Sequence, residues 1–195
     1  YLTRPALVYI FFPTESGTLY SLEELEALSA VCRRFGMMLF ADGARMSYGL
    51  MADGCDVTLK DFGRLADAFY RGGTKCGAMF GEAAVITNPR LAHRFRARMK
   101  QSGAVLAKGW QLGLQFWALL EKGLYFSVAR RVDELALRIR GAFEALGIEM
   151  AGSSPTNQQF VLLGEVQKKR LAEKYIFEDH GTRLDGRSLV RFCTS

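Results

Sequence analysis

Six apolar residues in a row, Leu7-Val8-Tyr9-Ile10-Phe11-Phe12, end at Pro13. An apolar run of that length, stopped by a residue that lacks an amide donor, predicts a strand. The turn Glu15-Ser16-Gly17-Thr18 leads to Ser21-Leu22-Glu23-Glu24, a capping box in which Ser21 and Glu24 satisfy each other's backbone donors. The following helix carries Leu22, Leu25, Leu28, Val31, Cys32 and Phe35 on one face and stops at Gly36. A strand over 37–41, a short helix over 61–67 and strands over 68–70 and 83–87 come next. Near-continuous apolar strands alternating with helices predict an α/β fold with a buried, mostly parallel sheet.

From Pro89 the period changes to that of long helices, over about 89–101, 104–122 and 126–146. After Gly147 a smaller α+β segment is expected: a strand over 148–151, a turn rich in Ser, Pro and Asn, a strand over 159–163, a helix over 166–175 and two short terminal strands. The pattern divides the chain into a large domain, 1–125, and a small C-terminal domain, 126–195.

Composition narrows the function. The chain has 195 residues, 49% of them hydrophobic, enough for a sizeable core in one or two domains. No apolar run approaches the roughly 18 residues of a membrane span. Cys32, Cys55, Cys76 and Cys193 are scattered, and His93 and His180 are the only histidines, so no metal cluster is expected and a reducing, cytoplasmic setting fits. The net charge of +6 sits largely on helical stretches, 90–100 and 130–140, without a nucleic-acid motif. These are read as solvated helix faces, and a modest positive field also suits an anionic cofactor and substrate. The chain opens at Tyr1, almost at once in a strand, and stops at Ser195 just after another. It is expected to be a fragment of a longer protein.

Candidate chemistry comes from two strand ends. Ala41-Asp42-Gly43-Ala44-Arg45 follows one apolar run, and Gly72-Gly73-Thr74-Lys75-Cys76 follows another. A lysine and an acid so delivered are what a pyridoxal 5′-phosphate (PLP) enzyme needs: the amine holds the cofactor aldehyde as a Schiff base, and the carboxylate keeps the pyridine nitrogen protonated. Alone, Gly72-Gly73-Thr74-Lys75 is equally an ordinary turn with a solvated lysine, its glycines allowing close backbone approach and Thr74 offering a hydroxyl to a phosphate. Asp42 either pairs with a cation, ring nitrogen or Arg45, or caps the next helix. Arg45 can hold a carboxylate or a cofactor oxygen bidentately, or form a weak surface pair. Arg191 stands mid-strand in Leu189-Val190-Arg191-Phe192-Cys193, facing solvent or clamping a carboxylate.

The whole length resembles the low-specificity threonine aldolase and β-eliminating lyase group of fold-type I PLP enzymes. The likeness lies in residues 13–25 (Pro13-Thr14-Glu15-Ser16-Gly17-Thr18 and onward), Asp42-Gly43-Ala44-Arg45, Gly72-Gly73-Thr74-Lys75, Lys100-Gln101-Ser102-Gly103, Thr156-Asn157-Gln158-Gln159-Phe160 and Arg191-Phe192-Cys193-Thr194-Ser195. The resemblance implies that Lys75 is the Schiff-base lysine, Asp42 the pyridinium partner, and Arg45 and Arg191 the carboxylate holders. Gly73 and Thr74 would line the cofactor, and Lys100 would reach a neighbouring subunit's site in a homodimer or homotetramer. The implied reaction is aldol cleavage of a threonine-like amino acid, with β-elimination or transamination on the same residues as alternatives, and a non-catalytic relic of the fold as another. Two departures matter. The family often has Asn-Thr-His where Pro13-Thr14-Glu15 stands, which puts Glu15 in place of a histidine and leaves the base open among Glu15, water and the cofactor phosphate. The family's phosphate loop and ring-stacking residue have no counterpart in this sequence.

Overall fold

The computed structural model describes residues 3–195, so Tyr1 and Leu2 lie outside it. Strands β1 (Leu7–Phe11), β2 (Met38–Asp42) and β3 (Ala68–Arg71) run parallel, and β4 (Ala83–Ile86) adds to β3 antiparallel, in the order β1-β2-β3-β4. Helix α1 (Leu22–Phe35) has the expected Ser21–Glu24 capping box and ends on Gly36 in the left-handed region. Helix α3 (Leu59–Leu65) begins two residues earlier than expected because Thr58 and Asp61 form a second capping box. Between them lies α2 (Met46–Met51), with Met46 to Leu50 all buried. A short helix buried on nearly every side shows no amphipathic period, and the sequence pattern passed over it.

The strands were expected to be buried on both faces, but among the described residues only one face is fully covered. Ile10, Leu39, Ala41 and Phe69 pack under Leu25, Cys32, Phe62 and Leu65 of α1 and α3. On the other face Leu7, Tyr9 and Phe11 remain 52%, 49% and 40% exposed. The correction is physical: apolar composition on both sides of a strand states what could be buried, not which helix covers it.

The long helices also break. The expected helix over 89–101 is α4 (Pro89–Ala92) and α5 (Phe95–Gln101), interrupted where Arg94 takes a positive φ of 55°. The stretch expected as helix from 104 becomes helical only at α6 (Trp110–Glu121), while α7 (Leu124–Ala145) runs unbroken from Gly123. The C-terminal segment is an antiparallel sheet, β5 (Gln158–Leu163), β7 (Ser188–Cys193) and β6 (Glu178–Thr182) in the order β5-β7-β6, with α8 (Glu165–Ala172) after β5. The strand expected over 148–151 shrinks to a single bridge, Met150 to Val161.

Helix α7 belongs to two cores. Tyr125, Ala129 and Val132 pack with Tyr48, Cys76 and Ala78, whereas Phe143 packs with Val161, Leu163 and Val190. Between those ends Asp133 is buried. Burial first, and the charge of Asp53 second, push its carboxyl up to about 8, with the Asn157 N–H pulling the other way. An acid whose folded pKa lies above its unfolded one costs stability as pH rises between the two values, here from 3.8 to about 8. Asp133→Asn should therefore flatten that decline and raise stability near pH 8 by on the order of 1 kcal/mol or more. Urea unfolding at pH 5 and pH 8 checks it; an unchanged pH slope would refute the assignment.

Candidate active site

Two parallel strands end side by side at the carboxyl edge of the sheet, where open α/β sheets place their ligands. β2 ends at Asp42 and continues into Gly43; β3 ends at Arg71 and continues into Gly72. The Gly72 N–H donates to the Gly43 carbonyl at 2.7 Å. A Cβ on Gly72 would lie 2.0 Å from the Ala44 carbonyl oxygen, and one on Gly43 would lie 2.0 Å from that of Tyr70. Neither glycine has positive φ, so the requirement is close approach of two backbones rather than an unusual turn. This contact draws the Asp42 and Lys75 segments together, and the Lys75 charge acts on the Asp42 carboxyl.

Asp42 is buried at the strand end. The Tyr70 hydroxyl donates to its Oδ1, the Tyr9 hydroxyl to its Oδ2, and the Ala44 N–H to Oδ1 at 3.0 Å. Burial is the largest influence and acts upward. The two hydroxyls, the Ala44 N–H and Lys75 together outweigh it, and the carboxyl lies below the ordinary range. The acid is ionised.

The lysine loop is pinned from three sides. Gly73 N–H donates to Glu82 at 2.6 Å and the Thr74 hydroxyl donates to the same carboxylate at 3.3 Å. The Tyr48 hydroxyl donates to the Lys75 carbonyl, and the Tyr125 hydroxyl to the Gly72 carbonyl at 3.0 Å. Thr74, considered for a phosphate, thus spends its hydroxyl proton on Glu82. Sequence reasoning missed Tyr9, Tyr48, Tyr70, Glu82 and Tyr125. Tyr70, two residues before the double glycine, was the one with a local signal.

Among the described residues Arg45 forms no ion pair with Asp42. Its guanidinium lies 3.8 Å from Glu15, and its Nε is buried without a partner. Arg191 does not point freely into solvent: it donates to Gln158 at 2.9 Å and pairs with Glu178 on β6. Gln158 in turn donates to the Glu15 carbonyl at 3.2 Å. Glu15 and Arg191 line one cavity of about 440 Å³ with Thr18, Phe160, His180 and Arg183. Lys100 is separate from this group, exposed at the end of α5.

The arrangement fits PLP. Asp42 is ionised and keeps an acceptor position, Lys75 supplies an amine on a pinned loop, and the unpartnered Arg45 Nε suits an oxyanion. A lysine and an ionised aspartate at the carboxyl edge of a parallel-dominated sheet fit the fold-type I PLP-dependent enzymes, whose architecture this fold matches. The family model described as β-eliminating lyase matches residues 1–165, and the chain belongs to that family. It is 31% identical over 172 residues to a low specificity L-threonine aldolase of a Pseudomonas species, covering 88% of this chain and 50% of that protein. It is also 31% identical over 163 residues to one from Pseudomonas aeruginosa, covering 83% of this chain and 47% of that one. A solved threonine aldolase from Leishmania major superposes with a TM-score of 0.95 at 41% identity, over 98% of this chain and 56% of the other. The chain spans about half the length of the relatives it matches.

The glycine contact makes a sharp prediction. Gly72→Ala should cost about 3 kcal/mol or more, because a backbone carbonyl cannot retreat from the added carbon. Gly63→Ala, inside α3 with nothing within 4 Å of the new Cβ, should instead be neutral or stabilising by about 0.5–1 kcal/mol. Parallel thermal melts of the two variants check the contrast.

Proposed function

We propose that the protein is a PLP-dependent aldehyde-lyase that splits a β-hydroxy-α-amino acid of the threonine type into glycine and an aldehyde. The observation that carries this reading is the placement of Lys75 and ionised Asp42 at one sheet edge, in a chain similar to low specificity L-threonine aldolases. When bound, PLP supplies an electron sink for the carbanion left as the Cα–Cβ bond breaks. Lys75 provides the amine that ties the cofactor to the chain. Asp42 keeps a proton on the ring nitrogen by offering it an anionic acceptor. Arg45 and Arg191 bind the substrate carboxylate, with Gly73 and Thr74 shaping the loop beside the cofactor. In this reading Glu15, which lies 3.8 Å from Arg45, accepts the β-hydroxyl proton.

We place the PLP-binding part in residues 1–125 and the small domain in 126–195, and read the full-length protein as a homodimer or homotetramer in which Lys100 serves the neighbouring site. Its four free cysteines suit a reducing cytoplasm, and no helix among the described residues is long and apolar enough to cross a membrane. The family description, β-eliminating lyase, favours β-elimination as the second reading.

In the full-length protein, Lys75→Ala should abolish the borohydride-trapped link to PLP while leaving the fold intact, and peptide mapping should find the wild-type adduct on the Lys75 peptide. Threonine should yield glycine and acetaldehyde; ammonia and a keto acid would transfer the assignment to elimination. Arg45→Lys and Arg191→Lys keep the charge but lose the planar fork, so each should raise KM roughly tenfold or more. Unchanged steady-state kinetics in both would place the carboxylate clamp elsewhere.

A further inference from the structure

The two tyrosines on Asp42 come from the strands on either side of it. The β1–β2 register pairs Tyr9 with Phe40 and Phe11 with Asp42, and the β2–β3 register pairs Ala41 with Phe69, which sets Tyr70 beside Asp42. All three side chains therefore stand on the same face of the sheet. Tyr9 is held by stacking on Phe40, ring centroids 5.2 Å apart and planes 26° from parallel. An ionised carboxylate has about four acceptor positions. Tyr70 and the Ala44 N–H fill those on Oδ1, and Tyr9 fills one on Oδ2. One position remains, and it lies on Oδ2.

We propose that Tyr9 and Tyr70 are positioning residues that fix the plane of the Asp42 carboxylate and reserve its last acceptor position, on Oδ2, for the protonated ring nitrogen of the cofactor. The inference rests on the PLP reading above. Neutral hydroxyls suit the task better than a guanidinium would. An arginine would satisfy the acid bidentately and offset its charge, leaving little attraction for a pyridinium. Hydroxyl donors hold the geometry and leave the charge in place. Both phenols also stay protonated at ordinary pH: the bond to Asp42, followed by burial, pushes Tyr9 up to about 12, and burial, followed by the bond to Asp42, raises Tyr70 as well. Arg45 pairs with Glu15, and Lys75 adds its charge to Asp42 without a hydrogen bond to the carboxylate.

The test has two arms. In the chain without cofactor, ¹³C NMR of the Asp42 carboxyl should show its titration midpoint rising in Tyr9→Phe and Tyr70→Phe, and by about one unit, a tenfold loss of acidity, in the double variant. Circular dichroism checks that each variant is folded; where the double variant is not, Tyr9→Phe, which trims a half-exposed side chain, carries this arm. An unmoved midpoint in a folded variant would overturn the clamp. In the full-length protein loaded with ¹⁵N-labelled PLP, the ring-nitrogen resonance should move toward its unprotonated position in each variant. A shifted carboxyl midpoint with an unmoved nitrogen resonance would show that the tyrosines hold Asp42 without serving the cofactor, and would overturn the proposal. Failure of the wild-type full-length protein to bind PLP would instead overturn the enzyme reading, and with it the role given to Oδ2, while the carboxyl titration would still decide whether the clamp exists.

Discussion

The bond from Gly72 N–H to the Gly43 carbonyl, 2.7 Å long between two loops that leave neighbouring strands, is the constraint on which the rest of the site depends. Strand pairing between β2 and β3 covers only Phe40–Ala68 and Ala41–Phe69. Beyond that point the chains would diverge, as side chains on each loop would hold them apart. Removing both Cβ atoms lets the backbones continue in contact past the end of the ladder, with Ala44 and Tyr70 carbonyls filling the space a methyl would take. The loss of conformational restraint at two glycines is a cost of up to about 1 kcal/mol each. It is offset by the tyrosine, glutamate and backbone bonds that the close approach makes possible.

Electrostatics at the site follows from that geometry. Burying a carboxylate is unfavourable unless its acceptors are satisfied. At Asp42 three donors meet that demand without any one of them carrying a full charge. Asp133 on α7 shows the opposite outcome. It is also buried, but with a second acid, Asp53, as its electrostatic neighbour, and it holds its proton to about 8. The same residue type is an anion in one place and a neutral acid in the other, decided by how far donors and neighbouring charges offset burial.

Much of this was legible in the sequence, and what was not has identifiable causes. The Ser21–Glu24 box, the strands around Asp42 and before Gly72, and the presence of two short terminal strands all have local signatures. The parallel-dominated α/β fold and the cofactor class followed from them. Helix α2 was hidden because it is buried on nearly every side and so has no exposed polar face; Gly49 there abuts the ring of Phe12, a contact no local pattern reports. The break at Arg94 occurs at a residue that ordinarily favours helix, so propensity pointed the wrong way. The partners of Asp42 lie 33 and 28 residues away, on strands read correctly as strands. Only register shows that their hydroxyls converge. Likewise Arg191 gained its neighbours Gln158 and Glu178 through pairing of β7 with β5 and β6, which spacing alone left open.

Helix α7 spans 22 residues, roughly 33 Å of stiff rod at 1.5 Å per residue. One end touches the lysine loop through the Tyr125 hydroxyl on the Gly72 carbonyl; the other is packed into the C-terminal sheet that carries Arg191. A rod fixed at both ends cannot rock at one without moving the other. A change in how the C-terminal sheet packs on α7 would be carried along that rod to the Tyr125–Gly72 contact beside Lys75.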